Sequence, residues 1–262
     1  MTERVTLITG ASAGIGAEMV RVFAAHKHRL ALVARRTDRL TALSAEIVAA
    51  GGPAPIIISC DLEKPEACAT IDDALKRADA EVEFLINNAG YGMFGFAADM
   101  DREAQLRMID LNVRMLTDLS LRYAPSLIKH RGGILNVSSI AGLIPGPGMA
   151  VYYASKAYVL SFTEALRQEL GPKGVRVTAL CPGPVPSEFQ DRAGFKPGLD
   201  SAVLGVSPKD VATLAYKSLM ANKGTVFPGL GIKIVPILLR LFPRSFIAWA
   251  VARLQLTRVG QR

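Results

Sequence analysis

Several residue types are scarce in this chain of 262 residues, and each shortage closes off a class of protein. The three cysteines, Cys60, Cys68 and Cys181, are odd in number and have neither CxxC nor metal-ligand spacing, which argues against a disulfide scaffold or a zinc module. They are expected as small core residues in a reducing, cytoplasmic compartment. The three histidines, His26, His28 and His130, stand at predicted helix ends away from every other motif, which points to surface residues and to no metal. No apolar leader is expected, since Arg4 stands almost at the start of the first strand-like segment. Internal repeats and low-complexity linkers are absent, so one large α/β domain is expected.

Acidic residues are missing from the last 52 positions, and this decides how the net charge of +8 is read. Residues 1–210 balance 23 Lys and Arg against 23 Asp and Glu. The tail holds the whole excess in Lys217, Lys223, Lys233, Arg240, Arg244, Arg253, Arg258 and Arg262. A nucleic-acid partner is therefore not expected. Residues 231–256 are strongly apolar, yet no uncharged stretch there exceeds eight residues, and Pro236 and Pro243 break its regularity, so it does not span a membrane. The segment is expected to cover a cleft or pack on a subunit, with peripheral contact to an anionic membrane as the alternative.

What is present is an alternation of apolar runs with helix-length amphipathic segments. Residues 5–9, 30–34, 55–59, 83–87, 133–137, 175–180 and 225–229 read as strands. Residues 15–27, 38–50, 64–79, 101–130, 152–170 and 208–222 read as helices, several closed by glycine, as at Gly51 and Gly171. The pattern predicts an α/β fold: a doubly wound, Rossmann-like, mostly parallel sheet of about seven strands flanked by helices. Ligands of such sheets lie at the carboxyl ends of the strands.

The first of those ends is TGASAGIG, residues 9–16, with Gly10, Gly14 and Gly16 leading into a helix. Glycine lets the backbone turn tightly and approach a pyrophosphate, whose charge is favoured by unpaired N–H groups and the helix dipole. About twenty residues on, where an NAD site would place an acid, the chain reads LALVARRTDRL. Arg35 and Arg36 suit a ribose 2′-phosphate, which favours NADP(H) over NAD(H).

The ordered motifs then resemble the short-chain dehydrogenase/reductase family over roughly residues 3–227. TGASAGIG is similar to its TGxxxGxG loop, which implies cofactor contacts from Gly10, Ser12, Gly14, Ile15 and Gly16. Residues 60–62, CDL, are similar to its adenine-contacting segment, with Asp61 and Leu62 as contacts. NNAG at 87–90 matches the motif after its fourth strand and adds Asn88, Ala89 and Gly90. PGPVPS at 182–187 is similar to its nicotinamide carboxamide segment, which implies Pro182, Gly183, Val185 and Ser187. Pro184 and Pro186 flank Val185 and lack N–H groups, so the Val185 amide is the expected donor there. Asn112, Ser139, Tyr152 and Lys156 fall where the family's catalytic tetrad belongs, with Tyr152 and Lys156 also touching cofactor.

AVYYASKAY at 150–158 offers three tyrosines around Lys156. Residues two apart on a helix diverge, which excludes Tyr158, while Tyr152 and Tyr153 both remain by spacing. The resemblance selects Tyr152 through its YxxxK pattern and the thirteen positions from Ser139, and likewise Ser139 over Ser138, whose side chain must face the other way. A phenol with an ordinary pKa of ~10 needs help at neutral pH, and a nearby Lys156 ammonium is expected to favour the phenolate. Ser139 is expected to hydrogen-bond the substrate oxygen, and Asn112 to anchor a water in a proton relay.

Tyr91, Met93, Phe94, residues 143–149, Tyr153 and Phe189 are expected to line an apolar substrate pocket. The resemblance thus implies an NADP(H)-dependent carbonyl reductase or alcohol dehydrogenase acting on a fatty-acyl, steroid-like or aryl ketone, as a homodimer or homotetramer. Residues 1–230 would form the catalytic domain and 231–262 a basic, apolar extension packed on it. The alternative is a catalytically silent NADP-binding sensor or scaffold of the same fold.

Overall fold

Every one of the seven apolar runs folds as a strand: β1 (Glu3–Thr9), β2 (Leu30–Ala34), β3 (Ile56–Ser59), β4 (Ala80–Asn87), β5 (Gly133–Val137), β6 (Arg176–Leu180) and β7 (Thr225–Val226). The computed structural model describes residues 2–186, 188, 206–229, 239 and 241–259. The strands pair in the order β3-β2-β1-β4-β5-β6-β7. All six pairings are parallel, so the sheet is wholly, not mostly, parallel among the described residues.

Near-continuous Val, Ile and Leu runs fit this sheet because both its faces are covered. Successive side chains on a strand point to opposite layers, so Leu7 enters one core and Ile8 the other. Helices α1 (Gly14–Ala25) and α2 (Thr37–Ala49) pack on the Ile8 side. On the Leu7 side lie α3 (Ala67–Arg77), α4 (Arg102–Ile109), α5 (Leu116–Arg122), α6 (Ala124–His130) and α7 (Ala150–Leu170). Helix α8 (Pro208–Met220) returns to the Ile8 side, its start set by Ser207, whose hydroxyl accepts from the Asp210 N–H, and by a proline in its first turn. β1 has β2 on one side and β4 on the other, so the strand order reverses there and a crevice opens at the carboxyl ends.

The single helix expected over 101–130 is broken twice. Asp101 starts α4 by accepting from the Ala104 N–H at 2.6 Å. The backbone then widens into a π-helical turn, Asp110–Met115, a geometry that often marks functional sites. A second break falls at Tyr123, after which Pro125 stands in the first turn of α6, where its missing N–H is tolerated.

Two of the three histidines are not the surface residues expected. His28 accepts or donates with the Thr6 hydroxyl at 3.0 Å and packs edge-on against Phe23, Phe84 and Tyr216. Burial holds its pKa below the ordinary value. The His130 side chain is 8% exposed and lies 2.6 Å from Glu81. Cys60, Cys68 and Cys181 are all buried and unpaired. Among the described residues, no group of three or more His, Cys, Asp or Glu is placed to hold a metal, and no helix is long and apolar enough to cross a membrane.

Candidate active site

The glycine loop after β1 owes its shape to three separate constraints. Gly10 and Gly14 have φ of +64° and +53°, the left-handed region where a side chain is strained. Gly16 is required by packing, since a Cβ there would lie 2.2 Å from the Gly10 carbonyl oxygen. Asn88 ties the loop to β4: its side-chain amide donates to the Thr9 and Gly10 carbonyls at 3.0 and 3.2 Å. The Thr9 hydroxyl accepts from the N–H groups of Asn88 and Ala89. The Asn88 side-chain nitrogen is therefore used in the loop's own architecture. Ala13 precedes α1 without a side-chain cap, leaving first-turn N–H groups at the cavity wall. That cradle fits a pyrophosphate.

The cavity has a volume of about 890 Å³ and runs along the carboxyl ends of the strands. Gly10, Ser12, Gly14, Ile15, Arg35, Arg36, Asp61, Leu62, Asn88, Ala89, Gly90, Ser139, Tyr152, Lys156, Pro182, Gly183 and Val185 all line it. Gly16 and Asn112 stand behind this surface, and Ser187 and Phe189 lie outside the described residues. One Asp61 carboxylate oxygen accepts from the Glu63 N–H at 3.1 Å, which fixes the turn after β3. Arg36 donates Nε and Nη2 to the Ser12 hydroxyl at 3.4 and 3.3 Å, joining the end of β2 to the glycine loop.

At the other end of the cavity, the two serines divide as strand geometry requires. Ser138 donates its hydroxyl to the Lys156 carbonyl at 2.8 Å and so pins β5 to α7. The Ser139 hydroxyl accepts from the Ala141 N–H at 3.1 Å and reaches Tyr152. Tyr152 and Lys156 are 8% and 5% exposed, with Lys156 Nζ 5.9 Å from the Tyr152 ring centre. Burial pushes the Tyr152 phenol well above its ordinary pKa, and the hydrogen bond with Ser139 offsets only part of this. Burial also pulls Lys156 down to about 8, while its Nζ donates to the Val137 carbonyl at 2.8 Å. Desolvation sets the direction of the Tyr152 shift, opposite to the lowering expected from the ammonium, so the phenol keeps its proton at neutral pH. Tyr158 faces away, its hydroxyl 2.9 Å from that of Thr117.

Asn112, 1% exposed, sits in the π-helical turn. Its amide donates to the Tyr91 carbonyl at 2.9 Å and the Ser155 hydroxyl at 3.1 Å, and its Oδ1 accepts from the Tyr91 N–H at 3.1 Å. A Cβ on Gly90 would lie 2.9 Å from that Oδ1 and 3.4 Å from Lys156 Nζ. The space between Asn112 and Lys156 exists because residue 90 has no side chain.

The apolar wall differs from expectation. Tyr91, Met149 and Tyr153 line the cavity together with Leu111, Ile140 and Ala141. Met93 and Phe94 instead pack against the core, and of residues 143–149 only Met149 reaches the cavity wall. The 143–149 loop is held by the Gly95 N–H, which donates to Gly148 at 2.8 Å. Gln255, Glu188 and Glu63 also line the cavity and carry no signal in their local sequence. Gln255 belongs to the last helix, α9 (Arg244–Val259), and donates to the Tyr153 hydroxyl at 2.6 Å.

Comparison with known proteins agrees with this geometry. The short chain dehydrogenase family model matches residues 4–196. A sulfoacetaldehyde reductase 2 of Chromohalobacter salexigens is 38% identical over 220 residues, covering 81% of this chain and 86% of the relative. Among solved structures, a short-chain dehydrogenase of Sphingobium yanoikuyae in complex with NADPH is 33% identical with a TM-score of 0.80, covering 91% of this chain and 92% of that one. A short chain dehydrogenase/reductase of Burkholderia phymatum in complex with NAD is 26% identical with a TM-score of 0.79, at 91% and 92% coverage. Sequence and backbone agree over most of the chain's length, and this protein belongs to the short-chain dehydrogenase/reductase family of oxidoreductases.

Proposed function

We propose that this enzyme transfers a hydride between NADP(H) and the carbonyl or secondary alcohol of a hydrophobic substrate. The observation that carries the reading is the buried Tyr152, joined to Ser139 and one helical turn from Lys156, in a cavity continuous with the glycine loop. The loop and first turn of α1 would hold the pyrophosphate, with Asp61 and Leu62 beside the adenine and Arg35 and Arg36 toward a 2′-phosphate. Pro182, Gly183, Val185 and Ser187 would receive the carboxamide. When bound, the nicotinamide gives or takes the hydride.

In the reducing direction, the Ser139 hydroxyl hydrogen-bonds the carbonyl oxygen where negative charge grows. Tyr152 passes its phenolic proton to that oxygen. The phenolate left behind is stabilised by the Lys156 ammonium, and the Gly90 gap lets Asn112 connect Lys156 to a water. Oxidation runs the same proton path backwards.

The substrate class follows from the wall of Tyr91, Leu111, Ile140, Met149 and Tyr153. A small sulfonated aldehyde, as the relative's name suggests for that enzyme, calls for a second cation near Tyr152. Besides Lys156, the cavity-lining cations among the described residues are Arg35 and Arg36, at the adenosine end. An apolar ketone fits better. The family assignment and the retained Tyr152 and Lys156 weigh against a silent sensor or scaffold. The buried cysteines suit a reducing compartment such as the cytoplasm.

We also infer that the tail works as an extension of the catalytic unit, α9 covering the substrate end through Gln255. Phe246 and Trp249 on the helix, and Leu241 and Phe242 in the turn before it, are exposed, with Arg253 over the indole. Exposed aromatic and basic groups in a tail without acids suit an anionic membrane surface.

Steady-state assays with apolar ketones and both reduced cofactors test the reading. Turnover with NADPH exceeding that with NADH is expected, and a failure to oxidise either cofactor with any carbonyl compound overturns it.

A further inference from the structure

The acid that the end of β2 lacks is delivered from elsewhere in the chain. Glu188 brings its carboxylate to the adenosine end of the cavity, where Oε2 accepts from Arg36 Nη1 at 2.7 Å and Oε1 from Arg39 Nη1 at 2.5 Å. These partners lie 152 and 149 positions away in sequence. Arg39, on the first turns of α2, reaches the site only by way of this carboxylate. The hydrogen bond from Arg39, then that from Arg36, holds the Glu188 carboxyl below the usual carboxylate range, so it is ionised at neutral pH. Arg36 is committed on both edges, with Nε and Nη2 on Ser12 and Nη1 on Glu188.

A carboxylate between two guanidinium groups occupies the position that a phosphate dianion would otherwise take there. A ribose 2′-phosphate arriving at Arg36 meets that carboxylate, repels it and must exchange places with it. A ribose 2′-hydroxyl meets no such conflict, because a hydroxyl donates to a carboxylate. We propose that Glu188 is a cofactor-selecting residue, an internal competitor for Arg36 and Arg39 that weakens the chain's preference for NADP(H) and admits NAD(H). The proposal rests on the nucleotide-binding reading of the cavity. The Glu188 side chain is half exposed, so exchanging it does not open the core.

Equilibrium titration of the full chain by cofactor fluorescence tests this without turnover. Dissociation constants for NADPH and NADH are measured on the wild type, Glu188→Gln and Arg39→Ala, with adenosine 2′,5′-bisphosphate against 5′-AMP as adenosine-end probes. Glu188→Gln removes the competing charge and keeps the shape. It is expected to raise the NADPH-over-NADH affinity ratio about tenfold, the scale of one charge-assisted hydrogen bond, and to shift the bisphosphate-over-AMP ratio in the same direction. Arg39→Ala is expected to lower both ratios. Wild-type binding of NADPH together with ratios unchanged or lowered in Glu188→Gln overturns the proposal and leaves the nucleotide reading standing. Wild type that binds neither dinucleotide takes both readings down.

Discussion

Gln255 donates its side-chain amide to the Tyr153 hydroxyl at 2.6 Å, across 102 positions of chain. Tyr153 is also fixed from below, because a Cβ on Gly146 would lie 2.3 Å from its ring. The ring next to Tyr152 is thus a wall whose outer support comes from the last helix. Tyr153→Phe and Gln255→Ala should each raise KM for bulky ketones by about 2–10-fold, the range of one neutral hydrogen bond, with kcat nearly unchanged. A fall in kcat with KM untouched in steady-state kinetics would move Tyr153 from the wall into the chemistry.

Under the proposed mechanism, Tyr152→Phe removes the proton donor and little else. A loss in kcat of about 10²–10⁴-fold is expected, the usual worth of a positioned acid, with cofactor affinity by titration close to wild type. Retained turnover would refute its role.

Gly90→Ala probes the gap between Asn112 and Lys156. Its methyl would press on Asn112 Oδ1 at 2.9 Å and approach Lys156 Nζ at 3.4 Å. Turnover should fall by an order of magnitude or more, with a destabilisation of about 1–3 kcal/mol as for other overpacked sites. Denaturant unfolding and kinetics together check this, and an alanine variant with full activity removes the need for open space there.

The two buried acids predict an unusual pH limb. As pH rises through about 8, Lys156 loses its ammonium, while Tyr152, shifted the other way, keeps its proton. The kcat/KM for cofactor reports groups of the free enzyme. It should therefore fall with one proton above pH about 8, and a flat profile through that range would contradict the assignment.

Truncation after Gly229 should remove the support of Tyr153, raise KM for bulky ketones and leave cofactor affinity nearly unchanged. If the outward face of α9 meets membranes, the intact protein should also cosediment with anionic vesicles, not neutral ones, and release at high salt, since each basic residue contributes about 1 kcal/mol of screenable attraction. Self-association without vesicle binding would assign that face to a second copy.

The strands were legible because a sheet covered on both faces demands unbroken apolar runs, and β2 and β5 begin and end where those runs do. That residues from the separate motifs would gather along one cavity was legible through motif order. The division of 101–130 was only half so: Pro125 is visible, but the π-helical turn depends on Asn112 bonding the Tyr91 backbone, a tertiary contact. Glu188 and Gln255 had no local mark at all, since each acquires meaning only from partners more than a hundred positions away. The shift of Tyr152 was misjudged because charge was weighed without burial, and burial dominates.

The clamp of Asn88 on the glycine loop also sets an order of events in folding. Thr9 and Asn88 are separated by 79 positions, and no two strands that pair are joined by a hairpin. A chain emerging at about 5–20 residues per second therefore holds its first loop for several seconds before the residue that shapes it exists. During that interval one edge of β1 has no neighbour, and its apolar sequence is open to pairing with another nascent chain. Nucleotide can lend no stability to this stage, because its cradle is completed only when β4 docks. Slowing translation before residues 80–88 should therefore lower the yield of folded protein more than slowing it after them, since only the first lengthens the time that edge stays open.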